Sequence, residues 1–457
     1  MEKRAYESTG ETLIRPMIRR GRAYYTFVFS LMAVIVWGGY AYYTQLSEGL
    51  VVTGMRHIVL WGLYITNLVF FIGISHAGTL ISAILRVTGA EWRRPITRMA
   101  ESITVFALMV GALMPLIDLG RPDRMLNLVL YGRIQSPIIW DFISIATYLT
   151  GAIIYLYLPL IPDIADLRDR LTWKGWRGRV YKLLSLGWNG SEEQRKRLER
   201  AIKIMSVIII PVAVSVHTVV SWIFGMTLRV GWHSSIFGPY FVVGAIFSGI
   251  ATIIIAMFVF RRVYHLERYI TALHFKHLGL MLLALDASYI YFTISEYLTA
   301  SYGAEAADLE LLGALFWGQY APEFWVFAIG GLVIPAFMIA LPRTRTPAGV
   351  TVAAILVNIG MWLKRFIIII PTLSRPMLPY EWGQYQPTWV EWSITAASVA
   401  GFILLITIFS RFLPIVSVWE TVGERMATEG GIPLPSTFTM AANTHSVPLS
   451  GEESDRV

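Results

Sequence analysis

The stretch Ala107-Leu-Met-Val-Gly-Ala-Leu-Met-Pro-Leu-Ile-Asp118-Leu-Gly-Arg121-Pro-Asp123-Arg124, followed shortly by Ser136-Pro-Ile-Ile-Trp140-Asp141, decides how this chain is read. An apolar run ends in a charged turn, and the next apolar run opens with an indole and a carboxylate. A helix must offer about 20 apolar residues to cross a bilayer core. Acidic, basic and aromatic groups therefore gather where two hydrophobic helices meet a membrane surface. Ionisable groups are costly beside lipid, so their presence in spanning segments marks a functional candidate by default. The cluster points to a place where something amphipathic and proton-carrying docks.

Composition supports the membrane reading. The 457 residues are 55% hydrophobic and 15% charged, with mean hydropathy +0.57, against roughly 25% charged in a soluble domain. The fold class expected is an all-α integral membrane protein. A formal charge of +8 can suggest nucleic acid. Here the basic residues sit between apolar segments, as topology requires, so no nucleic-acid partner is expected. The chain has no cysteine, which removes disulfides, thiolate chemistry and Cys-ligated zinc or iron–sulfur clusters. The first apolar stretch is long enough to span and lacks a small-residue cleavage pattern, so it reads as a helix and not as a signal peptide.

Ten segments qualify as spans: 24–46, 57–86, 99–118, 138–161, 201–224, 238–260, 273–300, 324–341, 348–371 and 391–413. Lys and Arg alternate between the connections: residues 162–200 hold ten, whereas 301–323 hold none. By the positive-inside bias, both termini face the cytoplasm of a bacterial inner membrane, and Asp118, Arg121, Asp123, Arg124, Trp140 and Asp141 lie on the outer side. The basic members of that group run against the bias and are expected to be held by partners. The outer loop with Glu305, Asp308, Glu310 and Glu323 has no counter-charge of its own.

Gly73-Ile-Ser-His-Ala-Gly-Thr-Leu80 faintly resembles Ala245-Ile-Phe-Ser-Gly-Ile-Ala251. This supports two parallel four-helix bundles, with chance similarity in small-residue helices as the competitor. The division expected is a cytoplasmic segment 1–23, a flanking helix and loop 24–56, a first bundle 57–224, a second bundle 225–371, a flanking helix 372–413 and a cytoplasmic tail 414–457. Beyond about residue 420 the tail reads as extended or disordered, able to strap onto a partner.

Several polar residues fall inside the spans. His76 is either a neutral histidine bonded to a neighbouring helix or a proton-transfer residue. Asn67, nine residues away, points to another side of the helix and reads equally as glue or as a ligand contact. His217 falls in the outer half of its segment, at a different depth from His76. Asp286 and Glu296 are proton-path candidates, with Lys364 and Arg365 as ion-pair partners. Glu101 opens the third segment and reads as a solvated carboxylate. Single histidines on different helices do not fit a haem, and no Glu-x-x-His pair offers a di-metal site. Trp140, beside Asp141 and the Arg121 turn, offers a flat ring suited to a quinone head group.

On the helix Gly73-Ile-Ser-His-Ala-Gly78, the turn Asp118-Leu-Gly-Arg-Pro-Asp-Arg124 and the run Ser136-Pro-Ile-Ile-Trp-Asp141, the chain resembles the polysulfide-reductase/NrfD-type membrane subunits. Its ten-helix layout is most similar to the branch found in alternative complex III, the ActC type. The resemblance implies a quinol-oxidising subunit without a redox centre of its own, with menaquinol as bound substrate. It implies partners as well: an extracytoplasmic iron–sulfur protein, cytochrome c-type subunits and a homologous membrane subunit. Carried over residue by residue, it nominates Asn67, His76, Asp118, Arg121, Trp140 and Asp141 for the quinol pocket. Asp118 or Asp141 would accept a phenolic proton, with His76 as competing base or relay and Arg121 stabilising the ionised carboxylate. His217, Asp286 and Glu296 are then candidates for a proton pathway. A secondary transporter or proton-pathway subunit without redox role is the alternative, and a pure membrane anchor the third reading.

Overall fold

The computed structural model describes residues 13, 17, 21–170, 175–378 and 380–420, and ten of its helices are long and apolar enough to cross a membrane. They are α1 (Arg22–Glu48), α2 (Leu63–Val87), α3 (Arg94–Asp118), α4 (Pro137–Tyr157), α5 (Glu192–Gly225), α6 (Phe237–Val263), α7 (Ala272–Gly303), α8 (Ala321–Ala340), α9 (Pro347–Ser374) and α10 (Trp389–Phe412). No strand occurs among the described residues. The all-α membrane expectation therefore holds. The basic residues Lys3, Arg4, Arg15, Arg19 and Arg20, and the tail after Glu420, lie outside the described residues.

Helices α2, α3, α4 and α5 pack as a ring, as do α6, α7, α8 and α9; α2 meets α6 and α9 where the rings touch. Helix α1 lies along α10, which leans on α3. Only Gly38, Ala41 and Gln45 of α1 are buried, so most of it is left for lipid. Small residues set the closest approaches, since van der Waals packing holds helices together where lipid removes the hydrophobic drive. A Cβ on Gly78 would overlap the Ala100 carbonyl of α3, and one on Gly331 would stand 2.6 Å from the Gly360 Cα of α9. Helix α8 widens into a π turn over Val326–Val333 at that contact. The two faintly similar segments meet each other: a Cβ on Gly73 would be 3.5 Å from Ser248 Oγ and 3.8 Å from Ala245 Cα.

One face of the assembly, the basic face, is rich in arginine. The Arg411 guanidinium lies 3.9 Å from the Tyr24 ring, which brings the end of α10 beside the start of α1. Beyond α10 the chain turns back across the end of the first ring. Arg98 and Asp163, each 2% exposed, form an ion pair there. Arg98 also donates to the Pro414 carbonyl (3.2 Å) and Ser417 Oγ (3.2 Å), and Asp163 accepts from the Val418 and Trp419 amides (both 3.1 Å). Glu420 then pairs with Arg86 (3.0 Å) and Arg93 (3.5 Å). The segment 414–420 is thus strapped to its own first ring. On the opposite face Glu310 pairs with Arg375 (2.9 Å) and accepts from the Trp382 indole (2.7 Å), so this loop does find a counter-charge.

Two outcomes follow for the strap. Asp163→Ala leaves the Arg98 guanidinium buried without its partner, a loss of about 3–5 kcal/mol. It should lower the unfolding midpoint in detergent and expose the chain after residue 413 to protease. Burial acts against ionisation of Glu420, but Arg86 and Arg93 prevail and hold its carboxyl down to about 2, from an ordinary 4.5. A carboxyl depressed in the folded state stabilises it fully above the ordinary value. That contribution is lost as pH falls from about 4.5 toward 2. Strap release, read by proteolysis against pH, should follow that window, and in Glu420→Gln the strap should be loosened at every pH with no such transition.

Candidate functional site

Helix α4 carries Asp141, Tyr148 and Tyr155 at seven-residue intervals, and all three are buried. Seven residues come within about 20° of two full turns, so the three share one face. That face looks into the first ring, from the face opposite the basic one down towards the strap. Asp141 comes directly after the first turn of α4, which opens at Pro137. Its Oδ1 is buried and has no hydrogen-bond partner among the described residues.

Two turns below, His76 lies wholly inside the ring. Its Nδ1 is 2.7 Å from the Ile72 carbonyl of its own helix, and its Nε2 is 2.6 Å from the Ala213 carbonyl of α5. Both neighbours are acceptors. A neutral imidazole donates through one nitrogen only, so both contacts are satisfied only when the ring carries two protons. The Tyr148 ring is 4.9 Å away, and its hydroxyl donates to the Ser75 carbonyl at 3.1 Å.

The His217 ring is 4.3 Å from that of His76, with both its nitrogens buried and without a hydrogen-bond partner among the described residues. The expectation of different depths is therefore corrected. Distance from the helix ends does not give depth here, because α2 has 25 residues and α5 has 34 with Pro211 inside. The two histidines form one pair between α2 and α5.

The other nominated residues divide. Asp118, at the end of α3, is half-buried and has an unpartnered Oδ1. It adjoins a polar knot that sequence reading missed. Gln45 donates to the Ile117 carbonyl (2.8 Å) and accepts from Tyr64 Oη (2.5 Å). Close by, the buried Glu391 accepts from Tyr385 Oη (2.5 Å) and the amides of Gly54 (2.6 Å) and Thr388 (3.0 Å). Only the Thr388-x-x-Glu391 capping box was legible as a signal for Glu391.

Arg121 stands in solvent, paired with Asp123 at 2.8 Å and with both side chains more than half exposed. It serves its own turn and reaches neither Asp118 nor Asp141, because Gly120 at φ +64° turns the chain outward. Trp140 is half-buried, and its indole donates to the Ile134 carbonyl within the same loop. Asn67 donates to Thr395 Oγ1 of α10 (2.8 Å) and accepts from the Trp362 indole of α9 (2.9 Å). The side chain is saturated by helix–helix bonds that face away from the first ring's interior.

In the second ring Asp286, Tyr289, Thr293 and Glu296 run along one stripe of α7. Asp286 is buried with neither carboxyl oxygen partnered among the described residues. Glu296, ten residues on, pairs with Lys364 of α9 at 3.2 Å, and Lys364 also donates to Tyr297 Oη at 2.8 Å. Arg365 forms no ion pair among the described residues; it donates to Tyr289 Oη at 3.5 Å and lies against Gly73 and Gly244. The expected pairing thus holds for Lys364 with Glu296 and fails for Arg365. A cavity of about 380 Å³ opens beside this pair on the face opposite the basic one, lined by His233, Ser234, Glu296, Thr299, Asp308 and Lys364 among others.

Residues 51–376 match the family model described as polysulphide reductase, NrfD. The chain belongs to this family of integral membrane subunits. It is 26% identical to a selenate reductase subunit of Mesobacillus selenatarsenatis, over 88% of this chain and 96% of that one. It is 24% identical to an Hdr-like menaquinol oxidoreductase integral membrane subunit of Archaeoglobus fulgidus, over 89% and 95%. It is also 24% identical to the integral membrane subunit of a menaquinone reductase of Nitratidesulfovibrio vulgaris, over 83% and 88%.

Asn67→Ala tests the saturated role directly. Leaving the Thr395 and Trp362 groups unpaired should cost about 1–3 kcal/mol. Thermal unfolding of the purified protein should register that loss, while quinone binding, followed by titration, should remain at the wild-type level.

Proposed function

We propose that this chain is the quinol-binding, quinol-oxidising membrane subunit of an electron-transfer complex, with the head-group site in the first ring near Asp141. Family membership supports the membrane-subunit role, and the names of two relatives, a menaquinol oxidoreductase and a menaquinone reductase, support menaquinol as the substrate. The observation that carries the site is the unpartnered, buried Oδ1 of Asp141, aligned along α4 with Tyr148 and the His76–His217 pair. In a medium without water an orphaned carboxyl oxygen is costly, and a hydroxyl-bearing head group would satisfy it.

Oxidation of a bound quinol supplies two electrons and two protons. Asp141 is the acceptor assigned to a phenolic proton, and Asp118, with its own orphaned oxygen, is the competing acceptor nearer the surface. His76, between the Ile72 and Ala213 carbonyls, is the group assigned to relay that proton. Trp140 borders the entrance and supplies an aromatic face.

The positive-inside bias puts the basic face in the cytoplasm of a bacterial inner membrane and both termini with it. Electrons then leave on the outer face to an iron–sulfur partner subunit, in an alternative complex III-like assembly with cytochrome c-type subunits and a homologous membrane subunit. The exposed apolar side chains of the short helix Met125–Leu130, Leu126 and Val129 among them, support a docked partner on that face. His217 in the first ring, and Asp286 and Glu296 in the second, are the candidate proton groups. The cavity lined by Lys364 and Glu296 is the vestibule assigned to Glu296.

Asp141→Asn keeps the size of the side chain and removes its basicity. Quinol oxidation by the intact complex should fall about 10²-fold or more, the range of a lost general base, while the complex still assembles. Wild-type turnover in this variant would remove Asp141 from the site.

A further inference from the structure

Glu101 was expected to be a solvated carboxylate at a helix start, and it is 1% exposed. Residues Arg94–Ile96 and the strap lie between it and the basic face, so α3 begins more than a turn before the apolar run does. Its Oε1 accepts from Ser82 Oγ at 2.7 Å, and its Oε2 is buried without a partner among the described residues. Ser82 Oγ lies 3.2 Å from Tyr155 Oη, which lies 3.2 Å from Ser206 Oγ. Four helices of the first ring thus each contribute one polar side chain to a single buried layer.

This layer repeats the His76 layer at a fixed offset. Ser82 follows Ser75 by seven residues on α2, Tyr155 follows Tyr148 by seven on α4, and Ser206 precedes Ala213 by seven on α5. On each helix the same face is used two turns lower, about 10 Å along the axis. Thr104, one turn from Glu101 on α3, donates to the Ser75 carbonyl at 2.7 Å and ties the layers together. Between them the ring narrows to small residues, Gly78 and Ala152. The charged groups below Glu101 are Arg86, Arg93 and Glu420, with the Arg98–Asp163 pair alongside.

We propose that Glu101 is a proton-transfer residue linking the first-ring site to the basic face, so that protons of the quinol reaction exchange with that side of the membrane. The stripe runs Asp141, Tyr148, His76, then Tyr155, Ser82 and Glu101, with water bridging the two-turn steps, and it opens beside Arg86 and Glu420. Per quinol oxidised, two electrons leave to the partner subunit's redox centre. Of the two protons released, one descends this stripe from Asp141, each group accepting one proton and passing one on, and the other leaves to the outer face. The inference rests on the quinol reading above.

The test uses the whole complex in liposomes, oriented with the basic face inward, a pH dye inside and a water-soluble menaquinol analogue as donor. Wild type should acidify the lumen during turnover. Glu101→Gln keeps the Ser82 hydrogen bond but cannot exchange a proton. It should cut quinol oxidation at least tenfold and abolish lumenal acidification, with the KM for the analogue unchanged. Tyr155→Phe and Ser82→Ala break the same layer while sparing the carboxyl and should show the same loss if Glu101→Gln fails to assemble. Wild-type turnover and lumenal acidification in these variants would overturn the proposal and leave the quinol reading standing. A wild-type complex that does not oxidise the analogue would sink both.

Discussion

Everything in this molecule follows from one constraint: inside the hydrocarbon, a polar group has no water to bond to. The backbone answers it by forming helices throughout, because a helix satisfies its own amides and carbonyls. Side chains have no such general answer. Each buried hydroxyl, amide or charge must find a specific partner or be left costly. The described side chains therefore sort into those that are saturated and those that are not, and the sorting separates architecture from chemistry.

The saturated ones hold the bundle together. Asn67 bridges three helices, Glu391 gathers two amides and a phenol, and Arg98 with Asp163 clamps the returning chain. These residues are as polar as any catalytic group, and residue type alone does not mark them as structural. His217, Asp286, one oxygen of Asp141 and one of Glu101 are different, since they have no hydrogen-bond partner among the described residues. A water, a proton or a substrate head group can meet that need. Three of the four lie on the inner face of the first ring. The Lys364–Glu296 pair is a separate feature of the second ring.

Arg121 shows how a motif misleads when its turn is not built. The Gly-Arg-Pro corner is conspicuous in the chain, yet its guanidinium is spent on Asp123 two residues away in solvent. An exposed pair of this kind contributes little, so the corner only shapes the loop. Glu101 shows the converse. A charge near a helix start reads as solvated only while the strap above it is unknown. The strap's contacts come from residues more than 300 positions later.

Membrane class, ten spans and the charge bias of the loops were determined by the sequence itself, because hydropathy and length act locally and need no knowledge of neighbours. His76, Asp118, Asp141 and Asp286 could be singled out for the same reason, since a polar residue in an apolar run is visible without a fold. Which of them are met by a partner was decided only by tertiary structure. The 4.3 Å approach of His76 to His217, the bonds that engage Asn67 and Arg121 elsewhere, and the burial of Glu101 under residues 414–420 depend on helix tilt, level and rotation. Those quantities come from packing between distant segments, where one glycine or one kink moves a side chain by several ångströms, and nothing in a linear pattern encodes them.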